Sequence, residues 1–161
     1  MLKVAIGADD AATGLKKQVK AHLQNKGVEV VDFSHDVAGN EQIYPDIAFN
    51  LASAIKEGAF ERGILLCGTG IGMAIVANKV PGVRAAQCHD VYSASRARKS
   101  NNAQIMTLGA RIIGGELALM LVDAWLEAEF EAGRSAAKVA RIDYYDTLLH
   151  PDVADRGEKT S

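Results

Sequence analysis

Short β-rich runs alternate along the chain with longer segments in which apolar residues recur every three or four positions, the mark of a parallel sheet with helices on its faces. A first strand is expected from Leu2 to Ala8. After the polar loop Asp9 to Gly14, Leu15, Val19 and Leu23 recur at i, i+4 and i+8 as the stripe of a helix. Asn25 to Gly27 stops it, and Val28, Val30, Val31 and Phe33 supply a second strand. The polar stretch from Ser34 to Gln42 leads to Tyr44-Pro45-Asp46, where Pro45 suits the first turn of a helix. Ile47, Ala48, Leu51, Ala52 and Ile55 form that helix's apolar face, closed by Gly58.

The run Gly63 to Cys67 is apolar throughout, as a strand covered on both faces should be. A helix is expected from Met73 to Lys79, a turn at Pro81-Gly82, a fourth strand from Val83 to Cys88, a helix from Val91 to Lys99 and a fifth strand from Gln104 to Leu108. A last long helix is expected from about Ile112 to Phe130, with Ile113, Leu117, Leu121 and Trp125 on one face. Its stripe fits either a core helix or contact with another subunit. Residues 1–145 read as one domain, and 146–161 as a C-terminal tail, partly disordered and polar from Asp155 onward.

Composition narrows the function classes. The 161 residues hold 18 Lys and Arg against 20 Asp and Glu, a net charge of −2, and the basic residues are dispersed. That leaves no electrostatic footprint for nucleic acid. No run approaches the ~18 apolar residues of a membrane span, and the start has neither the basic region nor the cleavage site of a secretory signal. A cytoplasmic protein is expected, with Cys67 and Cys88 as reduced thiols.

In an open parallel α/β sheet, ligands bind beyond the carboxyl ends of the strands. The residues there are Asp9 and Asp10 after strand one, Cys67 and a glycine loop after strand three, His89 and Asp90 after strand four, and Gly109 to Arg111 after strand five. The strongest local signal is Cys67-Gly68-Thr69-Gly70-Ile71-Gly72. Glycines at alternate positions let the backbone approach a ligand and turn N–H groups towards negative charge, although a tight structural turn reads similarly. The loop is neither a Walker loop nor a dinucleotide fingerprint, because no Gly-Lys-Ser/Thr follows and the glycine spacing differs. Cys67 at its mouth is either a base or a buried small hydrophobe; Cys88, without such a loop, is expected to be the latter. Asp9 and Asp10 suit sugar hydroxyls, a metal ion or a helix cap. A signalling receiver would need an aspartate where Cys67 stands. His22, His35, His89 and His150 lack metal-ligand spacing. Arg134 and Lys138, four apart, share one face of a helix, suiting either a phosphate or a solvated basic surface.

These residues together resemble the family of type B ribose-5-phosphate isomerases and galactose-6-phosphate isomerase subunits. The similarity spans roughly residues 2–142 and rests on Cys67 to Gly72, Ala77 to Arg84, Tyr92-Ser93-Ala94 and Asn101 to Arg111. The resemblance implies a Rossmann-like three-layer sandwich with a five-stranded parallel sheet. It also implies a homodimer or tetramer with active sites shared between subunits, and an aldose–ketose isomerase that works through a cis-enediol(ate) without metal or cofactor. By position, Cys67 is implied as the base, the amides of Gly68, Gly70, Ile71 and Gly72 as donors to the enediolate oxygen, and Thr69 as the group moving protons at the oxygens. Asp9, Tyr44 and Asn101 are implied to contact sugar hydroxyls. Arg111, Arg134 and Lys138 are implied at the phosphate, the last two from the neighbouring subunit.

Two positions depart from the family pattern. Ribose-phosphate members commonly carry Asp-His where this chain has Asp9-Asp10, and His-Asn where it has Ser100-Asn101. The second missing histidine is the one assigned to ring opening, and a serine hydroxyl is a poor acid or base near neutral pH. A tetrose 4-phosphate has its terminal oxygen esterified, cannot close a five-membered ring and needs no ring opener. Ser100 to Ile105 also resembles the erythritol-type catabolic branch of the family, so D-erythrulose 4-phosphate and D-erythrose 4-phosphate are the preferred substrate pair. The alternatives are ribose 5-phosphate, with His89 or water opening the ring, and a non-catalytic sugar-phosphate or nucleotide-binding module.

Overall fold

The computed structural model describes residues 1–151. Strands β1 Lys3–Ala8, β2 Glu29–Asp32, β3 Arg62–Cys67, β4 Ala85–Gln87 and β5 Ile105–Gly109 form one sheet in the order β2-β1-β3-β5-β4. Every pairing is parallel, with Ala8 opposite Leu66 and Cys67 opposite Gly109. The connecting helices are α1 Thr13–Asn25, α2 Tyr44–Lys56, α3 Ile71–Ala77, α4 Val91–Lys99, α5 Gly115–Glu127 and α6 Ala132–Leu149.

The alternation of side chains along the strands divides the core into two layers. Val4, Ile6, Ile64, Leu66, Met106 and Leu108 pack on one face with Leu15, Val19 and Leu23 of α1 and Leu121 and Trp125 of α5. Ala5, Leu65 and Ile105 face the other way, onto Ile47 and Leu51 of α2 and Met73 of α3. Helix α2 lies close because the strands carry glycine beneath it: a Cβ on Gly7 would come 2.6 Å from Ile47 and one on Gly63 2.6 Å from Leu51. The fold is the expected Rossmann-like three-layer α/β sandwich.

The last third of the chain departs from the sequence expectation. One helix was expected from 112 to 130, yet α5 starts only at Gly115. The amides of Ile112 and Ile113 both turn back to the Gly109 carbonyl, which holds these residues in a turn. Ile113 is therefore buried from a loop, and the helix buries Ala118, Leu121, Val122 and Trp125. Its stripe belongs to the protomer's own core. Helix α6, bent at Gly133, is a separate element reaching Leu149, four residues into the segment read as tail. Its pattern escaped notice because Val139 is its only buried residue. The polar end, 155–161, lies outside the described residues.

Arg62 fixes the end of α5. Its guanidinium donates to the carbonyls of Trp125 at 2.9 Å, Leu126 at 2.8 Å and Ala128 at 3.0 Å, which the helix end leaves without partners. Glu129 balances the charge at 2.9 Å. This explains a charged residue on a strand that is otherwise buried and apolar.

Candidate active site

Strand order reverses between β1 and β3, since β2 lies on one side of β1 and β3 on the other. Loops leaving the carboxyl ends of these two strands diverge and open a crevice. A cleft of about 500 Å³ sits there, lined by Asp9, Asp10, Tyr44, Cys67, Gly68, Thr69, Ile71, Gly72 and Arg111, with Ala11 and Ile75.

Each wall has a local cause. Asp9 caps a short 3₁₀ turn by accepting from the Ala11 amide at 3.1 Å, so one of the two aspartates does have a capping role. Burial raises the Asp9 carboxyl above its usual range and the neighbouring Asp10 adds to this, against the Ala11 amide and Arg111. Tyr44 opens α2 just before Pro45, and its ring fills the space over Gly72. The Arg111 amide donates to the Gly68 carbonyl at 3.0 Å, and its side chain runs along Gly68 into the cleft.

The glycine loop is arranged around two side chains. Gly70 adopts φ +77°, a left-handed conformation that glycine reaches without penalty. Its amide donates to Cys67 Sγ at 3.1 Å, and the Ile71 amide to Thr69 Oγ1 at 3.2 Å. Two of the amides expected to face substrate are thus engaged with the thiol and the hydroxyl. The first helical bond of α3 runs from Ala74 to the Gly70 carbonyl, which leaves the Gly72 amide ahead of it without a helical acceptor.

The protomer does not bring every expected residue together. Ser100 and Asn101 follow the end of α4, where Ser100 Oγ accepts from Arg96 Nε at 2.7 Å. Arg134 and Lys138 project from α6, four residues apart as expected, but do not line the cleft. His89 lies outside it too: its Nε2 accepts the Gly109 amide at 2.9 Å, and burial lowers its pKa. Both cysteines are buried, but only Cys67 lines the cleft, and desolvation raises the Cys88 thiol to about 11, away from the thiolate.

A neighbouring cavity of about 650 Å³ shares Asp9, Asp10 and Tyr44 with the cleft and adds Lys16, Ser34, His35 and Glu41. Lys16 is buried, 2.9 Å from Asp32 and 3.1 Å from Ser34 Oγ, which also accepts the Ala8 amide at 3.0 Å. Burial favours a neutral Asp32, but bonds from the Ser34 hydroxyl and amide and from Lys16 outweigh it and hold the carboxyl below its usual range. Sequence reasoning missed this network. The signal was there, since Lys16, Val19 and Leu23 recur at i, i+3 and i+7 on the buried face of α1.

An open cleft with polar walls, set at a switch point, suits a small hydroxylated substrate, and a thiol among backbone donors suits proton transfer on it. The family model described as Ribose/Galactose Isomerase matches residues 4–142. A D-erythrulose-4-phosphate isomerase from Pectobacterium atrosepticum is 64% identical over 91% of this chain and 96% of that protein. Ribose-5-phosphate isomerase B from Escherichia coli is 42% identical over 88% of this chain and 95% of that protein. The solved structure of ribose-5-phosphate isomerase B from Clostridium thermocellum superposes with a TM-score of 0.86 at 42% identity, covering 92% of this chain and 99% of that one. The chain belongs to the ribose/galactose isomerase family. It is an enzyme, an intramolecular oxidoreductase of the aldose–ketose type.

Proposed function

We propose that the protein interconverts D-erythrulose 4-phosphate and D-erythrose 4-phosphate through a cis-enediolate. Cys67 removes the proton from C1 of the ketose and returns it to C2. Thr69 moves the hydroxyl proton between O1 and O2, and backbone N–H groups of the loop from Gly68 to Gly72 hold the oxygen on which charge develops. Asp9 and Tyr44 orient the sugar hydroxyls, and Arg111 draws the phosphate.

The observation that carries the choice of substrate is Ser100: in this proposal position 100 reaches the cleft from a second copy, and it holds a hydroxyl where ribose-phosphate members commonly carry the ring-opening histidine, while no imidazole is among the described residues lining the cleft around Cys67. His89, the nearest fallback for opening a furanose ring, is already bonded to Gly109. A substrate that stays open-chain needs no such group, and the 64% identity to a D-erythrulose-4-phosphate isomerase supports the same reading. Ribose 5-phosphate is the second reading, favoured by the relatives named for it and by His35 in the adjoining cavity.

The working unit in this proposal is a homodimer, or a pair of dimers, with shared sites. Helix α6 supports it: an 18-residue helix that buries only Val139, with Ile142, Tyr145, Leu148 and Leu149 exposed, has too little packing of its own to be stable. A second copy covering that face brings Ser100, Asn101, Arg134 and Lys138 to the cleft it meets.

The test measures kcat/KM for erythrulose 4-phosphate and ribose 5-phosphate side by side with EDTA present, in the parent and in Cys67→Ala. Preference for the tetrose, with binding but no turnover in the variant, is the expected result. Equal or better turnover of the pentose defeats the substrate, and unchanged turnover in Cys67→Ala defeats the base.

A further inference from the structure

Two side chains outside the cleft hold the glycine loop from behind. Gln87, the last residue of β4, donates from Nε2 to the Thr69 carbonyl at 2.6 Å. Thr107, wholly buried on β5, donates from Oγ1 to the Gly70 carbonyl at 2.8 Å. In both bonds the side chain donates, because a carbonyl only accepts.

A trans peptide is planar, with its C=O and N–H pointing opposite ways, so a donor fixed on the carbonyl also aims the amide. The peptide pinned by Gln87 ends in the Gly70 N–H that meets Cys67 Sγ at 3.1 Å. The peptide pinned by Thr107 ends in the Ile71 N–H that meets Thr69 Oγ1 at 3.2 Å. The two chains run side by side, and each finishes on one of the two atoms to which the mechanism gives a proton. The loop backbone also packs directly on β5: a Cβ on Gly109 would come 2.7 Å from the Thr69 carbonyl oxygen, and one on Gly70 2.9 Å from the Leu108 carbonyl carbon.

We infer that Gln87 and Thr107 are positioning residues with separate targets, Gln87 acting through the Thr69–Gly70 peptide on the Cys67 thiolate and Thr107 through the Gly70–Ile71 peptide on the Thr69 hydroxyl. A hydrogen bond donated to sulfur stabilises the thiolate over the thiol, and a carbonyl that itself accepts a bond makes its own N–H a stronger donor. Neither side chain touches substrate. The kinetic consequence rests on the roles proposed above for Cys67 and Thr69; the effect on thiol reactivity does not.

The test uses the full chain and two readouts. Iodoacetamide alkylation at fixed pH, followed by mass spectrometry of the peptide that holds Cys67, reads Cys67 separately from Cys88, whose thiol is raised to about 11 and which does not line the cleft. In Gln87→Met, which keeps the length of an exposed side chain but donates nothing, alkylation of Cys67 and kcat are both expected to fall about three- to tenfold with KM unchanged. In Thr107→Val kcat is expected to fall while alkylation stays at the parent rate, and Thr107→Ser, which keeps the hydroxyl, restores kcat. Parent-level alkylation in Gln87→Met overturns the inference, and so does equal slowing in Gln87→Met and Thr107→Val, which would mean general loosening of the loop. If Thr107→Val does not fold, Gln87→Met and Thr107→Ser decide it. If no sugar phosphate is turned over, the alkylation contrast still stands or falls by itself, so the two failures are distinguishable.

Discussion

The Tyr44 ring occupies the space that a side chain on Gly72 would need, so closely that an added Cβ would overlap the ring carbons and the hydroxyl. One residue opens α2 and the other lies in the first turn of α3, so this contact ties the helices together at the lip of the cleft. The bare glycine is what lets an aromatic hydroxyl stand in the cleft that Cys67 also lines.

Gly72→Ala should therefore displace Tyr44 rather than unfold the chain, because the ring is at the surface and can swing outward. Displacing a positioning group by an ångström costs up to ~100-fold in rate. Steady-state kinetics with a thermal melt check this: a fall in kcat/KM of about tenfold or more with Tm nearly kept is expected, and unchanged kinetics would show that Tyr44 has no part in orienting substrate.

Asp9 illustrates a cost accepted at the site. Burial first, then Asp10, raises its pKa in the folded protein, so the folded state holds that proton more tightly than the unfolded chain does. Ionised Asp9 therefore lowers stability, and the cost appears as pH rises past the unfolded value of about 4. Asp9→Asn keeps the cap on Ala11 and removes the charge. Its Tm should exceed the parent's at pH 7 and match it near pH 3, while activity drops; a lower Tm at pH 7 would contradict the account.

His89 gives the opposite pH dependence. Its Nε2 must be unprotonated to accept the Gly109 amide, and burial lowers its pKa against the pull of Asp90. Stability from the neutral ring is full above about pH 6.5 and is lost as pH falls through the lower folded value. The parent's Tm should fall on acidification through this range more steeply than that of His89→Gln, whose amide oxygen can accept the same bond. Parallel profiles would remove His89 as the cause.

Removal of Arg62 leaves the carbonyls of Trp125, Leu126 and Ala128 without their donor, those of Trp125 and Ala128 in a buried setting. Arg62→Leu is expected to lose about 3 kcal/mol of unfolding free energy. Urea denaturation measures it, and a loss below ~1 kcal/mol would show that water satisfies those groups. Catalysis at 25 °C should be little changed, because the guanidinium sits at the opposite end of β3 from Cys67.

Local pattern was enough to order the strands and helices along the chain up to β5. Each apolar run there is bounded by residues that stop it, and each helix buries one continuous stripe. It was enough, too, to single out the segment from Cys67 to Gly72, because glycines at alternate positions leave a signature within six residues. Helix α6 left no such trace, since a helix that buries only Val139 has no stripe to read. Where α5 begins was decided by the Gly109 carbonyl, which captures two amides and delays the helix.

By itself the sequence determined the alternating α/β architecture and the strand ends at which the cleft opens, with the glycine segment from Cys67 to Gly72 among them, because these depend on neighbours a few positions apart. Only the tertiary structure decided that β1 and β3 lie side by side, so that Asp9 and Tyr44 face Cys67 across one cleft. It alone decided that Lys16 would meet Asp32, and that Gln87 and Thr107 would reach round behind the glycine loop. These pairings join residues 16 to 37 positions apart, and their geometry is set by how the sheet is ordered and how the loops pack on it, which no local periodicity records.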